Sequence, residues 1–136
     1  MSYNFYDPER RLVVGSHDTF TVPFNITNHK PLASEYYVFT IRRVLEPTKR
    51  MGQIPELGDI VFQKTISYND LIINIDEGGH VTGCSFTVAA SKTQAAAIPD
   101  GVNAYDLAIV TDITEFELVP PSEFIVGEVL RYAENG

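Results

Sequence analysis

Histidine and cysteine are the residue types best suited to nucleophilic or metal chemistry. The chain holds them at His17, His29, His80 and Cys84. No two of the histidines have the spacing that brings metal ligands together on one strand or helix. Cys84 follows His80 by an even number of residues, so the two could share one face of a strand and form a nucleophilic Cys–His pair. Cys84 also lies on the same face as Phe86 and Val88. Free cysteine on such an apolar face is usually buried and inert, so we favour a structural role for Cys84.

Carboxylates near a predicted hairpin could bind a cation through oxygen. They are Asp70, Asp76 and Glu77. They lack the spacing of a calcium-binding loop, so we interpret them as solvated turn residues. Gly78 and Gly79 belong to the same turn and do not form a phosphate-binding loop. The acids of the final third have no recognisable glycosidase context, and tryptophan is absent. We therefore expect no catalytic residue, no cofactor and no metal, and we do not expect an enzyme.

The elements that position these residues are mostly strands, because apolar residues recur at every second position. This alternation marks 18–27, 60–67, 70–76, 80–90, 102–112 and 114–119, and a last strand at 122–130 follows Pro120-Pro121. The run 36–45 is apolar on both faces, which indicates a strand at a sheet centre. Residues 46–59 have no clear periodicity and predict a long surface loop, with a short extra strand within it as the alternative. Only 91–98 is helical in pattern, with a capping box at its start. We predict an all-β fold: an antiparallel β-sandwich of about eight strands, immunoglobulin-like or jelly-roll-like, with one short crossover helix.

A chain of 136 residues suits one domain. We assign an N-terminal arm to residues 1–15, the sandwich to 16–131 and a flexible tail to 132–136. Residues 1–11 show no core face of their own. Tyr105, at the start of a late strand, resembles the corner tyrosine of immunoglobulin-like sandwiches, which bonds back to upstream backbone and holds the crossover between sheets.

Charge is distributed unevenly along the chain. The net charge is -8, which argues against nucleic acid as a partner. Residues 93–136 contain one basic side chain against eight acidic ones, whereas a basic cluster lies within 42–50. Nothing approaches the run of about 18 apolar residues that a membrane helix needs. A single cysteine excludes an intrachain disulfide, and the N-terminus has no signal-peptide pattern, so we expect assembly inside a cell.

The order of these parts resembles the immunoglobulin-like domains of tailed-phage virion proteins, particularly the N-terminal domain family of phage baseplate upper proteins. The matching segments are Asp18–Phe24, Val38–Arg42, Gly101–Ile109 and Glu123–Val126, within roughly residues 16–130. The resemblance implies a structural component of a bacteriophage or prophage particle, in the tail, baseplate or neck. Such a protein is assembled in the bacterial host cytoplasm and located in the virion. The resemblance implies no catalytic residues.

We expect this protein to pack against copies of itself and other virion proteins as a homo-oligomer or ring. The candidate interface residues are Tyr3, Phe5, Tyr6, Arg42, Arg43, Lys49, Arg50, Glu115, Glu117 and Glu123. The basic cluster of one copy would face the acidic final third of the next. The alternatives are a carbohydrate- or receptor-binding module and a capsid decoration protein. A small β-barrel enzyme is a further alternative that the scattered histidines disfavour.

Overall fold

Most of the chain forms β-strands joined by turns and one short helix. The computed structural model of the protein describes residues 5–16, 18–46 and 55–127. The strands are β1 (Leu12–Val14), β2 (Phe20–Thr27), β3 (Tyr36–Glu46), β4 (Glu56–Ser67), β5 (Ile72–Ile75), β6 (Val81–Ala90), β7 (Gly101–Val110) and β8 (Glu115–Val126). A 3-10 turn at Tyr68–Asp70 joins β4 to β5, and helix α1 (Lys92–Ala96) joins β6 to β7.

The strands form two sheets. The larger has the order β1-β8-β7-β3-β4 and the smaller the order β2-β6-β5. Neighbouring strands are antiparallel except β1 and β8, which pair in parallel from Leu12–Val14 to Phe124–Val126. The predicted all-β sandwich is confirmed. Placing β3, β4, β7 and β8 in one sheet and β2, β5 and β6 in the other is the arrangement of a variable-type immunoglobulin sandwich.

Aromatic side chains fill the space between the two sheets. Phe39, in β3, is fully buried, and its ring centroid lies within 6.0 Å of those of Phe24, Phe62 and Tyr105. The alternation predicted for β3 places Tyr37, Phe39 and Ile41 on this inner face. Because the inner face takes every second residue, the intervening residues of β3 lie on the outer face of the larger sheet.

Two strand boundaries differ from the sequence predictions. β4 begins at Glu56 rather than at 60, because residues 56–60 pair with the end of β3 through three register shifts. The rest of the predicted loop, 47–54, lies outside the described residues. Pro120 and Pro121 do not separate two strands, since β8 continues through both. A register shift opposite Asp106 accommodates them there, and β1 pairs with β8 only from Phe124 onward.

The N-terminal segment packs on its own domain, which corrects the expectation of an arm without a core face. Phe5 is 0% exposed. The Arg10 Nε–H donates to Ser122 Oγ at 2.9 Å, and Arg11 Nε lies 2.9 Å from Glu123 Oε1. β1 then adds a strand to the larger sheet. The sandwich therefore includes residues before 16, while the predicted tail 132–136 lies outside the described residues.

The predicted bond from Tyr105 to upstream backbone is confirmed, but the crossover before β7 is held by a different residue. The Tyr105 hydroxyl donates to the backbone carbonyl of Arg10, in the N-terminal segment, and not to the crossover. Asn103 serves the crossover instead: its buried side-chain amide donates to the Pro99 carbonyl at 2.8 Å. Asn103 and Tyr105 both lie on the inner face of β7. Asn103 is two residues closer to the crossover, so its side-chain amide reaches the Pro99 carbonyl. The resemblance to a tyrosine corner did not reveal which upstream carbonyl Tyr105 would bond.

The predicted capping box of the helix is confirmed. Ser91 Oγ accepts a hydrogen bond from the Gln94 backbone N–H at 3.2 Å, and Gln94 Oε1 accepts one from the Ser91 N–H at 2.9 Å. The described helices include none that is both long and apolar enough to span a membrane.

Candidate functional site

A polar depression lies on the outer face of the larger sheet. It has a volume of about 320 Å³. Short side chains of two neighbouring strands line it, Thr40 on β3 and Asp106 and Ala108 on β7, and Thr40 lies opposite Asp106 in register. The complete lining is Val38, Thr40, Arg42, Gln63, Asp106, Ala108, Glu115 and Glu117, and we call it the acidic depression.

Three carboxylates and one guanidinium determine the electrostatics of the acidic depression. The pKa of Asp106 is raised to about 6, chiefly by burial and then by the negative charge of Glu117; Arg42 lowers it and Glu115 raises it by less. The Gln63 side-chain amide donates to Thr40 Oγ1 at 3.1 Å. The depression thus has an excess of negative charge, which favours a cationic group as its ligand.

The segregation of charge along the sequence is partly compensated within the fold. Arg42 belongs to the predicted basic cluster, and Glu115 and Glu117 belong to the acidic final third, yet all three line the same depression. The reason is topological, because β7 lies between β3 and β8 in the larger sheet. Contact with a second copy is therefore not needed to bring these charges together. Arg43 is exposed, and Lys49 and Arg50 lie outside the described residues.

Other predicted interface residues have partners within the chain. Glu123 is buried and forms an ion pair with Arg11, so it does not join Glu115 and Glu117. The ring of Tyr6 packs edge-on against Phe5, with centroids 4.9 Å apart. Tyr3 lies outside the described residues. Of the predicted interface, Arg42, Glu115 and Glu117 are the residues that the structure brings together.

An apolar cleft that the sequence did not reveal lies between the two sheets, beside the start of β8. Its volume is about 340 Å³. Its apolar lining consists of Ile26, Ile109, Phe116 and Leu118. Alternation correctly places Phe116 and Leu118 opposite Glu115 and Glu117, but Phe116 remains 58% exposed. Because the smaller sheet has three strands and the larger five, the inner face at this end of β8 is only partly covered.

Polar groups fix the rim of the apolar cleft. His29 Nε2 lies 3.0 Å from Glu35 Oε1, and the same oxygen accepts a hydrogen bond from the Leu32 N–H at 2.9 Å. Glu35 is buried. Asn28 adopts a positive φ of 60° and donates its N–H to the Thr82 carbonyl, which turns the chain away from β2. These contacts hold the loop after β2 in one conformation.

Cys84 and His80 do not form a nucleophilic pair. Cys84 is fully buried, and its sulfur lies 3.4 Å from the Tyr37 hydroxyl. His80 is exposed, and its ring lies 3.6 Å from an Asp76 carboxylate oxygen. Burial, together with the neighbouring Cys84, raises the pKa of Tyr37 well above its usual range. Within 5–16, 18–46 and 55–127, no group of three or more histidine, cysteine, aspartate or glutamate residues is arranged to hold a metal ion.

The sequence matches no family model. No curated protein matches it either.

Proposed function

We propose that this protein is a structural or assembly component of a bacteriophage or prophage particle, in the tail, baseplate or neck. It acts by packing against other polypeptides, including copies of itself. The sequence resemblance to immunoglobulin-like virion domains supports this proposal, and the immunoglobulin-type strand order is compatible with it.

The observation that carries the proposal is the exposed apolar surface around the β7–β8 hairpin. Ile113, in the turn between the strands, is 94% exposed, and Phe116 and Leu118 follow it at the mouth of the apolar cleft. Large apolar side chains scattered singly over a surface have no special meaning, whereas a group of them in one place marks a contact site. Aromatic residues such as Phe116 are also enriched in protein interfaces.

The charge of the same region supports a protein partner over a nucleic acid. Glu115 and Glu117 are exposed beside the apolar residues, and the whole chain carries a net charge of -8. Phosphate groups would be repelled by this surface, whereas a basic protein surface would be attracted to it.

The decisive experiment locates the protein in particles. An antibody against the chain should label phage particles that have been purified from the bacterium encoding it, at a fixed position in negative-stain images. A tail, baseplate or neck position supports the proposal. Labelling of the capsid surface would instead indicate a decoration protein. Absence from particles, with the protein remaining in the cleared lysate, would refute a virion role.

Carbohydrate binding is the alternative with a specific observation in its favour. The acidic depression is polar and concave and contains carboxylate and amide groups that bind hydroxyls. None of its lining residues is aromatic, so it lacks the stacking surface that sugar sites commonly use. A glycan array distinguishes the two functions. Specific binding that is lost in Asp106→Asn and retained in Asp59→Asn would establish the alternative.

A further inference from the structure

We infer that the free edge of β8 accepts an extended strand from a partner polypeptide in which basic and apolar residues alternate. The inference rests on the proposed function, because it specifies how a neighbouring polypeptide would be held. Three features of the β7–β8 hairpin lead to it: an open backbone edge, an apolar cleft on one side of that edge, and two carboxylates on the other.

The first feature is the open edge. β8 pairs with β7 over most of its length, but on its other side β1 pairs only with Phe124–Val126. In the described part of the chain, no other strand pairs with 115–121 on that side. An uncovered edge presents unpaired N–H and C=O groups and is a template for an added strand.

The hydrogen bonding of the hairpin identifies which groups are available. The Thr111 N–H donates to the Thr114 carbonyl at 2.8 Å, so this pair is hydrogen-bonded. Bonded and non-bonded pairs alternate along an antiparallel ladder. Phe116 therefore bonds toward β7, whereas Glu115 directs its N–H and C=O groups outward and Glu117 directs its N–H outward. A register shift follows at once, because Leu118 has no opposite residue on β7. Pro120 has no N–H, so the useful edge ends before it.

The side chains beside this edge define what the added strand must contain. Residues opposite Glu115 and Glu117 would lie next to two carboxylates on the outer face, where lysine or arginine is favoured. Residues opposite Phe116 would point toward the apolar cleft, where Leu118 and Ile26 offer contact. Since side chains alternate along a strand, the matching segment alternates basic and apolar residues.

The same charges disfavour a second copy of β8 as the occupant. Two β8 edges that paired antiparallel about a two-fold axis at Phe116, the centre of the open edge, would place Glu115 of one copy opposite Glu117 of the other. Like charges directly opposite each other are destabilising in a sheet. The partner strand is therefore a different segment, with charge complementary to this edge.

The test uses a synthetic peptide of alternating lysine and valine, added to the isotope-labelled protein and followed by NMR. We expect chemical-shift changes and slowed amide exchange at Glu115 and Glu117. A peptide of the same composition with its lysines and valines in separate blocks should bind much more weakly. A third peptide, N-methylated at the residues that face the edge, should not bind, because it cannot form the ladder hydrogen bonds.

Protein variants provide the matched control for charge. Glu115→Lys combined with Glu117→Lys should weaken binding by about tenfold or more. Glu56→Lys combined with Glu77→Lys makes the same change in net charge at exposed positions elsewhere and should weaken it far less. Equal binding of the N-methylated peptide, or shifts confined to the edges of β4 or β5, would overturn the inference. Its failure leaves the proposed function standing if the protein is found in particles.

Discussion

Asp106 is the ionisable residue whose surroundings most affect its chemistry. It lies on the outer face of β7, opposite Thr40, and lines the acidic depression. Its pKa is raised from 3.8 to about 6, chiefly by burial and then by Glu117. Because the folded state holds the proton more tightly than the unfolded chain, protonation of Asp106 favours folding. This contribution is complete below about pH 4 and is lost as the pH rises through 6.

The substitution Asp106→Asn tests this effect. An amide has nearly the same shape and no charge, so the variant should keep its stability as the pH rises from 4 to 7, while the parent loses some. The free energy of unfolding of the variant should exceed that of the parent by about 1 kcal/mol at pH 7, because solvent reaches the half-buried carboxyl and screens its charge, and the difference should vanish near pH 4. Urea denaturation across this pH range measures it.

Asp59→Asn is the control for net charge. Asp59 is exposed on β4, so its substitution removes one negative charge without relieving a burial cost. We expect its stability to follow the parent at every pH. A pH-independent difference between Asp106→Asn and the parent would show that Asp106 does not titrate between pH 4 and 7.

The N-terminal segment and β1 form one element that closes the larger sheet. Phe5 fills a fully buried position, the Arg10 carbonyl accepts the Tyr105 hydroxyl, and the Arg11 guanidinium pairs with buried Glu123. Burial raises the pKa of Tyr105 to about 12, so its hydroxyl stays protonated and remains a donor at physiological pH. The segment therefore contributes to the stability of the domain.

Phe5→Ala should destabilise the whole domain. Truncating a fully buried phenylalanine costs about 3 to 5 kcal/mol, because the contacts are lost and a cavity remains. The measurement is the free energy of unfolding from urea denaturation at low temperature, with Phe5→Leu as a milder variant that should lose much less. Ile113→Ala, at an almost fully exposed position, should change stability by no more than about 0.5 kcal/mol. A loss for Phe5→Ala as small as that would mean that the segment is not docked in solution.

Several elements could be predicted from the sequence because their signals are local. Period-two alternation identified β2 and β6, the run of apolar residues on both faces identified β3, and the spacing of Ser91 and Gln94 identified the start of α1. What the sequence did not reveal depends on distant partners. Phe5 is buried although no periodic pattern surrounds it in the sequence. Pro120 and Pro121 are tolerated only because of the register shift and the uncovered edge of β8.

The candidate site was less predictable for the same reason. Arg42 and Glu117 are far apart in sequence, and only the order β3-β7-β8 brings them to one depression. Phe116 fits the alternation of an inward-facing residue, and no local pattern shows that the opposite sheet ends before covering it. Side-chain direction is therefore a property of the strand, whereas burial is a property of the whole sandwich.

At the scale of the whole molecule, the unequal sheets determine where the surface is incomplete. Five strands pack on three, and the shortfall exposes apolar side chains at the mouth of the cleft beside β8. The same end of the molecule carries Glu115 and Glu117. Apolar contact and electrostatic complementarity are thus available side by side, as in interfaces that have an apolar centre and a polar rim.

Replacing both Ile113 and Phe116 by serine should weaken association without unfolding the domain. The side chains are 94% and 58% exposed, so they contribute little to the core, whereas an interface would bury them. Sedimentation velocity of the parent over a wide concentration range provides the reference, and we expect the double variant to associate at least about tenfold more weakly.

Ile75→Ser is the control, since Ile75 is 62% exposed on β5, in the other sheet, and should leave association unchanged. A parent that stays monomeric at all concentrations would contradict self-assembly, and equal weakening by Ile75→Ser would show that the hairpin is not the contact surface.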